Sequence, residues 1–205
     1  MFYKTDGPHG LPHNPFLSLI VPRPIGWISS ISARGVVNLA PYSYFNGVAG
    51  NPPMVMFASS GRQPHGPKDS LANIEATGEF VCNMATWDLR QQVSLTSAPV
   101  PPEVDEFELA GIETEPAELV RPPRVKGSPV HLECRHHATV DLPCPGKDKG
   151  ERNAICIGHV IGIHIDDAFL KDGLVDVARI RPLARLGYQD YTTVTEIFTM
   201  VRPKA

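Results

Sequence analysis

Ile25-Gly26-Trp27-Ile28-Ser29-Ser30-Ile31, then Ala33-Arg34-Gly35, then Val36 through Asn46, is the stretch that decides the fold. The first seven residues are rich in β-branched and aromatic side chains and read as a strand. Ala33-Arg34-Gly35 reads as a turn, because glycine takes positive φ without steric cost. Val36 to Asn46 resumes as a second strand interrupted by Pro41. A proline removes a ladder donor, so this strand is expected to bulge or to lie at a sheet edge. Two strands joined by a tight turn form an antiparallel pair, and the rest of the chain repeats the theme.

Downstream, Asn51-Pro52-Pro53 is a hard stop. Met54–Ser59 is apolar enough to be a strand buried on both faces. Residues 60–68 read as a loop. Asp69 and Ser70 are good N-caps for a helix whose apolar face is Leu71 and Ile74 with Ala72 and Ala76, ended by Thr77-Gly78. Phe80–Met84 is a fourth strand. Thr86 is placed to cap a second helix over Trp87–Leu95. Residues 97–129 are acidic and rich in proline, with one short helix near Val104–Ala110, and read as an excursion over the surface or onto a partner subunit. Val130–Leu142 and Ala154–Asp166 are long strands flanking a polar turn with Gly146 and Gly150, and so suggest a hairpin. The tail from Arg179 shows no clear period.

Composition agrees with a β-rich soluble chain. There are 205 residues, 21 of them proline and 17 glycine, which means many turns and short elements. The length suits one domain over 1–205 with an extended arm at 1–20. A net charge of −3 without a basic block gives no indication of a nucleic-acid or anionic-membrane surface. The apolar runs are strand-sized, which speaks against a membrane span, and the N-terminus does not read as a signal peptide, so the expected location is the cytoplasm. Cys82, Cys134, Cys144 and Cys156 form no CxxC pair and are expected to be reduced. His136 and His137 are adjacent and so point to opposite faces of a strand, which argues against a metal site with Cys134 and Cys144. His159 and His164 are likewise expected on opposite faces.

Three segments bear on chemistry. Asn38-Leu39-Ala40-Pro41-Tyr42-Ser43-Tyr44-Phe45-Asn46 offers backbone groups freed by the proline, aromatic faces, and the polar side chains of Ser43 and Asn46. It suits the edge of a flat ligand as well as an ordinary strand. Ser59, Ser60 and Arg62 lead into Lys68-Asp69-Ser70 at a helix start, where free N–H groups and the dipole attract phosphate; a capped surface helix is the plainer reading. Arg185, with Tyr188 and Tyr191, could reach an anion and cover a planar group.

In this order these segments resemble the flavin reductase-like family. The match runs through Val21-Pro22-Arg23-Pro24-Ile25-Gly26-Trp27-Ile28-Ser29, Asn38 to Asn46, Asn51-Pro52-Pro53, Lys68 to Ile74, Gly78-Glu79-Phe80-Val81-Cys82-Asn83 and Arg185-Leu186-Gly187 with Tyr191. The resemblance implies a mainly β fold, a Greek-key FMN-binding split β-barrel with a few inserted α-helices, assembled as a homodimer. It implies FMN held by Ala40, Pro41, Tyr42, Ser43 and Asn46 at the ring. Ser59, Ser60, Arg62, Lys68, Asp69 and Ser70 would hold the ribityl phosphate, with Arg23, Ser29 and Arg185 as further candidates. It implies an NAD(P)H-dependent flavin oxidoreductase whose chemistry resides on the flavin, with no catalytic side chain and no metal. Electrons would pass to free flavin, oxygen or a partner monooxygenase. A flavoredoxin-type electron carrier and an FMN enzyme acting on a small organic substrate such as a nitroaromatic are the alternatives. Without a GxGxxG fingerprint, nicotinamide is expected in the flavin groove. The loops 60–67 and 143–152 depart from a minimal member and put the substrate in question.

Overall fold

The computed structural model describes residues 1–64, 66 and 68–203. Among these, seven strands form one antiparallel sheet: β1 Gly26–Ile31, β2 Val37–Tyr42, β3 Phe45–Gly50, β4 Pro53–Ser59, β5 Glu79–Met84, β6 Val130–Leu142 and β7 Asn153–Ile165, in the order β2-β1-β5-β6-β7-β4-β3. The two outermost strands, β2 and β3, are consecutive in the chain and separated only by Ser43 and Tyr44. A sheet whose edges are tied by two residues must curl round on itself, which gives a barrel left open along one seam. Pro41 sits on the edge strand β2, opposite Trp27, where its missing N–H costs no ladder bond. The break expected near Pro41 falls instead at Ser43-Tyr44.

Two packed clusters explain which residues turn inward. Ile28, Phe57, Phe80, Cys82, Cys134 and Cys156 fill the barrel. Trp27, Leu39, Val93, Phe107 and Leu183 fill the outer face of β1 and β2, beneath the helices α2 Arg90–Leu95 and α3 Glu106–Ala110. β1 and β5 are therefore buried on both faces. β4 is not, as its sequence suggested: Val55, Phe57 and Ser59 are buried and the residues between them are half-exposed, because helices cover only the other side of the barrel. Gly158 on β7 is required by packing, since a Cβ there would lie 2.2 Å from the tip of the Phe80 ring. The cysteines are free thiols, and burial pushes Cys156 up to about 12.

Helix α1 spans Asp69–Thr77 and ends at Gly78 in the left-handed conformation. Its buried face is Ser70, Leu71 and Ile74; Ala72 and Ala76 are exposed, contrary to the sequence expectation. Lys68 rather than Asp69 is the N-cap, and it makes no side-chain cap. α2 starts at Arg90, not at Trp87, because Thr86 is drawn into a bridge with Pro182 and is buried instead of capping.

The 97–129 excursion packs on its own subunit. Asp105 caps α3 through the N–H groups of Phe107 and Glu108. Glu133, fully buried on β6, accepts the N–H groups of Glu118 and Leu119 and pairs with His164. Although burial alone would make its carboxyl a weaker acid, these hydrogen bonds hold it below the usual carboxylate range. The tail is more ordered than its sequence suggested. α4 Val177–Ile180 precedes a hairpin of β8 Leu183–Gly187 and β9 Asp190–Thr193, and β8 also pairs with Arg23–Pro24. The described residues contain no helix long and apolar enough to cross a membrane.

Candidate functional site

The carboxyl end of β2, Arg62 and Gln63 after β4, Lys68 before α1, the end of α2 and the start of α3 enclose a cleft of about 250 Å³. Ala40, Pro41, Tyr42, Arg62 and Lys68 line it, together with Gln63, Thr96–Pro99 and Glu106. The first five were expected from the sequence. They meet because β2 is an edge strand and α1 begins directly after the loop that follows β4.

Lys68 is the informative side chain. Its ammonium lies 5.5 Å from the centre of the Tyr42 ring, and burial lowers its affinity for a proton. Among the described residues it makes no ion pair. A partly desolvated cation without a carboxylate partner is a site prepared for an anion. Arg62, exposed, donates to the Lys149 carbonyl at 2.7 Å, which ties the loop to the β6–β7 turn and leaves other guanidinium N–H groups at the mouth.

Beneath Lys68 lies a buried polar chain. The Ser70 hydroxyl donates to Asn38 Oδ1 at 2.7 Å. Asn38 Nδ2 donates to Glu106 Oε1 at 2.7 Å, and the Leu39 N–H donates to Glu106 Oε2 at 3.1 Å. Burial pushes the Glu106 carboxyl up to about 7 against the pull of these donors. Burial also pushes the Tyr42 phenol above its ordinary value. Glu106 is a cleft residue that nothing in the sequence marks. It sits in the acidic, proline-rich excursion 67 residues from its partner Leu39.

The remaining expected residues fall elsewhere. Ser29 is fully buried; its hydroxyl donates to the Pro123 carbonyl at 2.6 Å and accepts from Asn83. This makes it part of the packing under the excursion, out of reach of the cleft. Arg23 is buried and donates to the carbonyls of Leu17 and Ile20, holding the N-terminal arm. It lies directly across from Arg185 in the small sheet and 5.9 Å from the Tyr44 ring. Arg185 stacks on Tyr191 and donates to the Tyr191 hydroxyl and the Tyr188 carbonyl. Neither arginine lines the Lys68 cleft. Ser43 occupies the turn at the seam, Asn46 is exposed and accepts from the Gly47 N–H, Ser59 is buried at the end of β4, and Ser60 is exposed. Asp69 opens α1 next to the cleft. A second, apolar cleft of about 110 Å³, between Ile25, Phe45, Leu132 and Leu183, has only Asn83 as a polar side chain, already bonded to Trp27, Ser29 and Val125.

The fold is a split β-barrel with a cationic cleft at its seam, and comparison with known proteins says which family it belongs to. The family model for the flavin reductase-like domain matches residues 17–183. The chain belongs to the flavin reductase-like family. An uncharacterised protein of Aquifex aeolicus is 38% identical over 176 residues, 85% of this chain and 86% of that protein. Nitrilotriacetate monooxygenase component B from Bacillus cereus superimposes with a TM-score of 0.85 at 28% identity, covering 98% of each chain. Flavoredoxin of Desulfovibrio vulgaris (Miyazaki F) shares the fold at 17% identity, with a TM-score of 0.75 over 97% of each chain.

Proposed function

We propose that this chain is an FMN-binding oxidoreductase that accepts hydride from NAD(P)H and passes electrons to free flavin, oxygen or a partner monooxygenase. The observation that carries the reading is the desolvated Lys68 ammonium facing a cleft at the barrel seam. It fits the phosphate of a mononucleotide. Arg62 adds a second cation at the mouth, and the start of α1 adds backbone N–H groups. Bound FMN supplies hydride acceptance and onward electron transfer. The residues of this chain bind and orient: Lys68 and Arg62 serve the phosphate end, with Ser70 holding the polar chain beneath Lys68, and Ala40 to Asn46 present edge-strand backbone to the ring.

The cleft is smaller than the ~300–1,000 Å³ of a pocket that encloses a whole ligand. It therefore takes the phosphate arm and leaves the ring at the mouth, where a second subunit of a homodimer would cover it. The 28% identity to a monooxygenase component over nearly the whole chain supports the partner monooxygenase as an acceptor.

The test is the visible spectrum of protein purified with added FMN, before and after NADH or NADPH. Retained flavin bleached by a nicotinamide is the expected result. No retained flavin refutes FMN binding. Retained flavin that neither nicotinamide bleaches refutes the hydride step.

A further inference from the structure

A cationic aromatic surface lies outside the Lys68 cleft. Trp87, Arg90, Val93, Ser94, Leu183 and Tyr191 line a separate cleft of about 240 Å³. Of the two tryptophans, Trp27 is fully buried with its indole N–H bonded to Thr96, whereas Trp87 is 38% exposed. Two guanidinium groups lie over the Trp87 indole, Arg90 at 4.2 Å and Arg181 at 5.1 Å from the ring centre. A third, Arg185, lies over Tyr191 at 4.4 Å. Among the described residues, the carboxylate within 4 Å of any of the three is Asp88, which is largely exposed and 3.8 Å from Arg181.

Stacking on a ring occupies the face of a guanidinium and leaves its in-plane N–H edge for an acceptor. Arg90 spends one N–H on the Trp87 carbonyl and keeps the others. The backbone also holds Arg181 in place at a cost. Its φ is +56°, a left-handed conformation unusual for a residue with a side chain, and its carbonyl accepts the Trp87 N–H at 2.9 Å. A strained arginine is thus fixed against an exposed indole, with more positive than negative charge around it.

We infer that this cleft is a binding site for a small aromatic carboxylate, its ring packed among Trp87, Leu183 and Tyr191 and its carboxylate on the free edge of Arg90, which lines the cleft, with the Arg181 guanidinium on the Trp87 indole adding positive charge beside it. The size of the cleft suits one or two rings. The inference does not depend on flavin, because none of these residues lines the Lys68 cleft.

The test is titration of the full-length protein with benzoate, benzamide and adenosine monophosphate, followed by calorimetry and by quenching of the exposed Trp87. Benzoate is expected to bind saturably, with benzamide about tenfold weaker because it lacks the charge. Arg181→Gly accommodates the left-handed backbone and removes the guanidinium; Arg90→Gln removes the other. Each is expected to weaken benzoate about tenfold and to erase its advantage over benzamide, with the far-UV circular dichroism and FMN binding unchanged. Equal binding of benzoate and benzamide, or benzoate binding indifferent to both substitutions, overturns the inference. Adenosine monophosphate binding at least tenfold tighter than benzoate overturns the assignment to a small acid, since it would make the site a nucleotide site.

Discussion

Replacing Glu106 by glutamine should make the protein more stable at alkaline pH and not at acid pH. In the fold the Glu106 carboxyl is pushed from an ordinary glutamate value up to about 7 by burial. The folded state thus holds a proton that the unfolded chain releases. Stability from this group is fully present below about pH 4.5, declines as pH rises towards 7, and stays lost above it. At ~1.4 kcal/mol per tenfold change in proton affinity, the loss is at most ~3.4 kcal/mol. Glu106 borders an open cleft, so solvent screening reduces this to about 1.5–2.5 kcal/mol. Glutamine carries no charge to desolvate. It can still accept from Leu39, and Asn38 can turn its amide, because the Ser30 and Ser70 hydroxyls that donate to it can also accept. Urea unfolding of wild type and Glu106→Gln at pH 5 and pH 8 isolates the group, because all other titrations cancel in the difference. About 0.8 kcal/mol of this is already lost at pH 5, so the wild type should lose about 0.7–1.7 kcal/mol more than the variant between the two pH values. Parallel pH profiles would refute the placement of Glu106 as a buried, charge-penalised carboxyl.

Gly158→Ala puts a methyl against the end of the Phe80 ring in the centre of the barrel. It should cost about 1–3 kcal/mol by overpacking, read as a lowered urea midpoint at constant slope. Lys68→Ala should weaken FMN about tenfold or more and leave riboflavin, which has no phosphate, unchanged; equal losses for both ligands would remove Lys68 from the phosphate end. Trp27→Phe deletes the indole N–H that donates to Thr96 at 2.9 Å. It should cost about 1–3 kcal/mol, since the Thr96 hydroxyl stays buried without its donor; an unchanged urea midpoint would show that this bond carries no net stability.

Strands β1, β5, β6 and β7 were legible because their β-branched runs are bounded by turn residues, and the local signal suffices there. Helix α1 was legible at its Gly78 end and misread at its start, where tertiary packing drew Lys68 and not Asp69 into the cap position. The tail hairpin was missed because its turn uses Tyr188 at φ +45° instead of a glycine in the usual place, and its pairing with Arg23–Pro24 spans most of the chain. In the cleft, Ala40 to Tyr42, Arg62 and Lys68 could be proposed because they flank turns and a helix start. Glu106 and Thr96–Pro99 could not, since nothing in an acidic, proline-rich run states which strand it will cover. Ser29 was the opposite case. Its motif position suggested a ligand, and the fold gives its hydroxyl to Pro123 and Asn83.

The strand order has a consequence for how the chain is made. β5 must wait for β6, and β4 must wait for β7, to gain its second neighbour, and both arrive on the hairpin of residues 130–165. Until that hairpin has left the ribosome, the first 128 residues hold β1, β2 and β5 as one ribbon and β3 with β4 as another. Each ribbon then has an open edge where the finished barrel has a partner. The hairpin is the keystone of the arch, and closing it late, through contacts distant in sequence, favours slow folding with exposed edges that a nascent chain must keep apart from its neighbours.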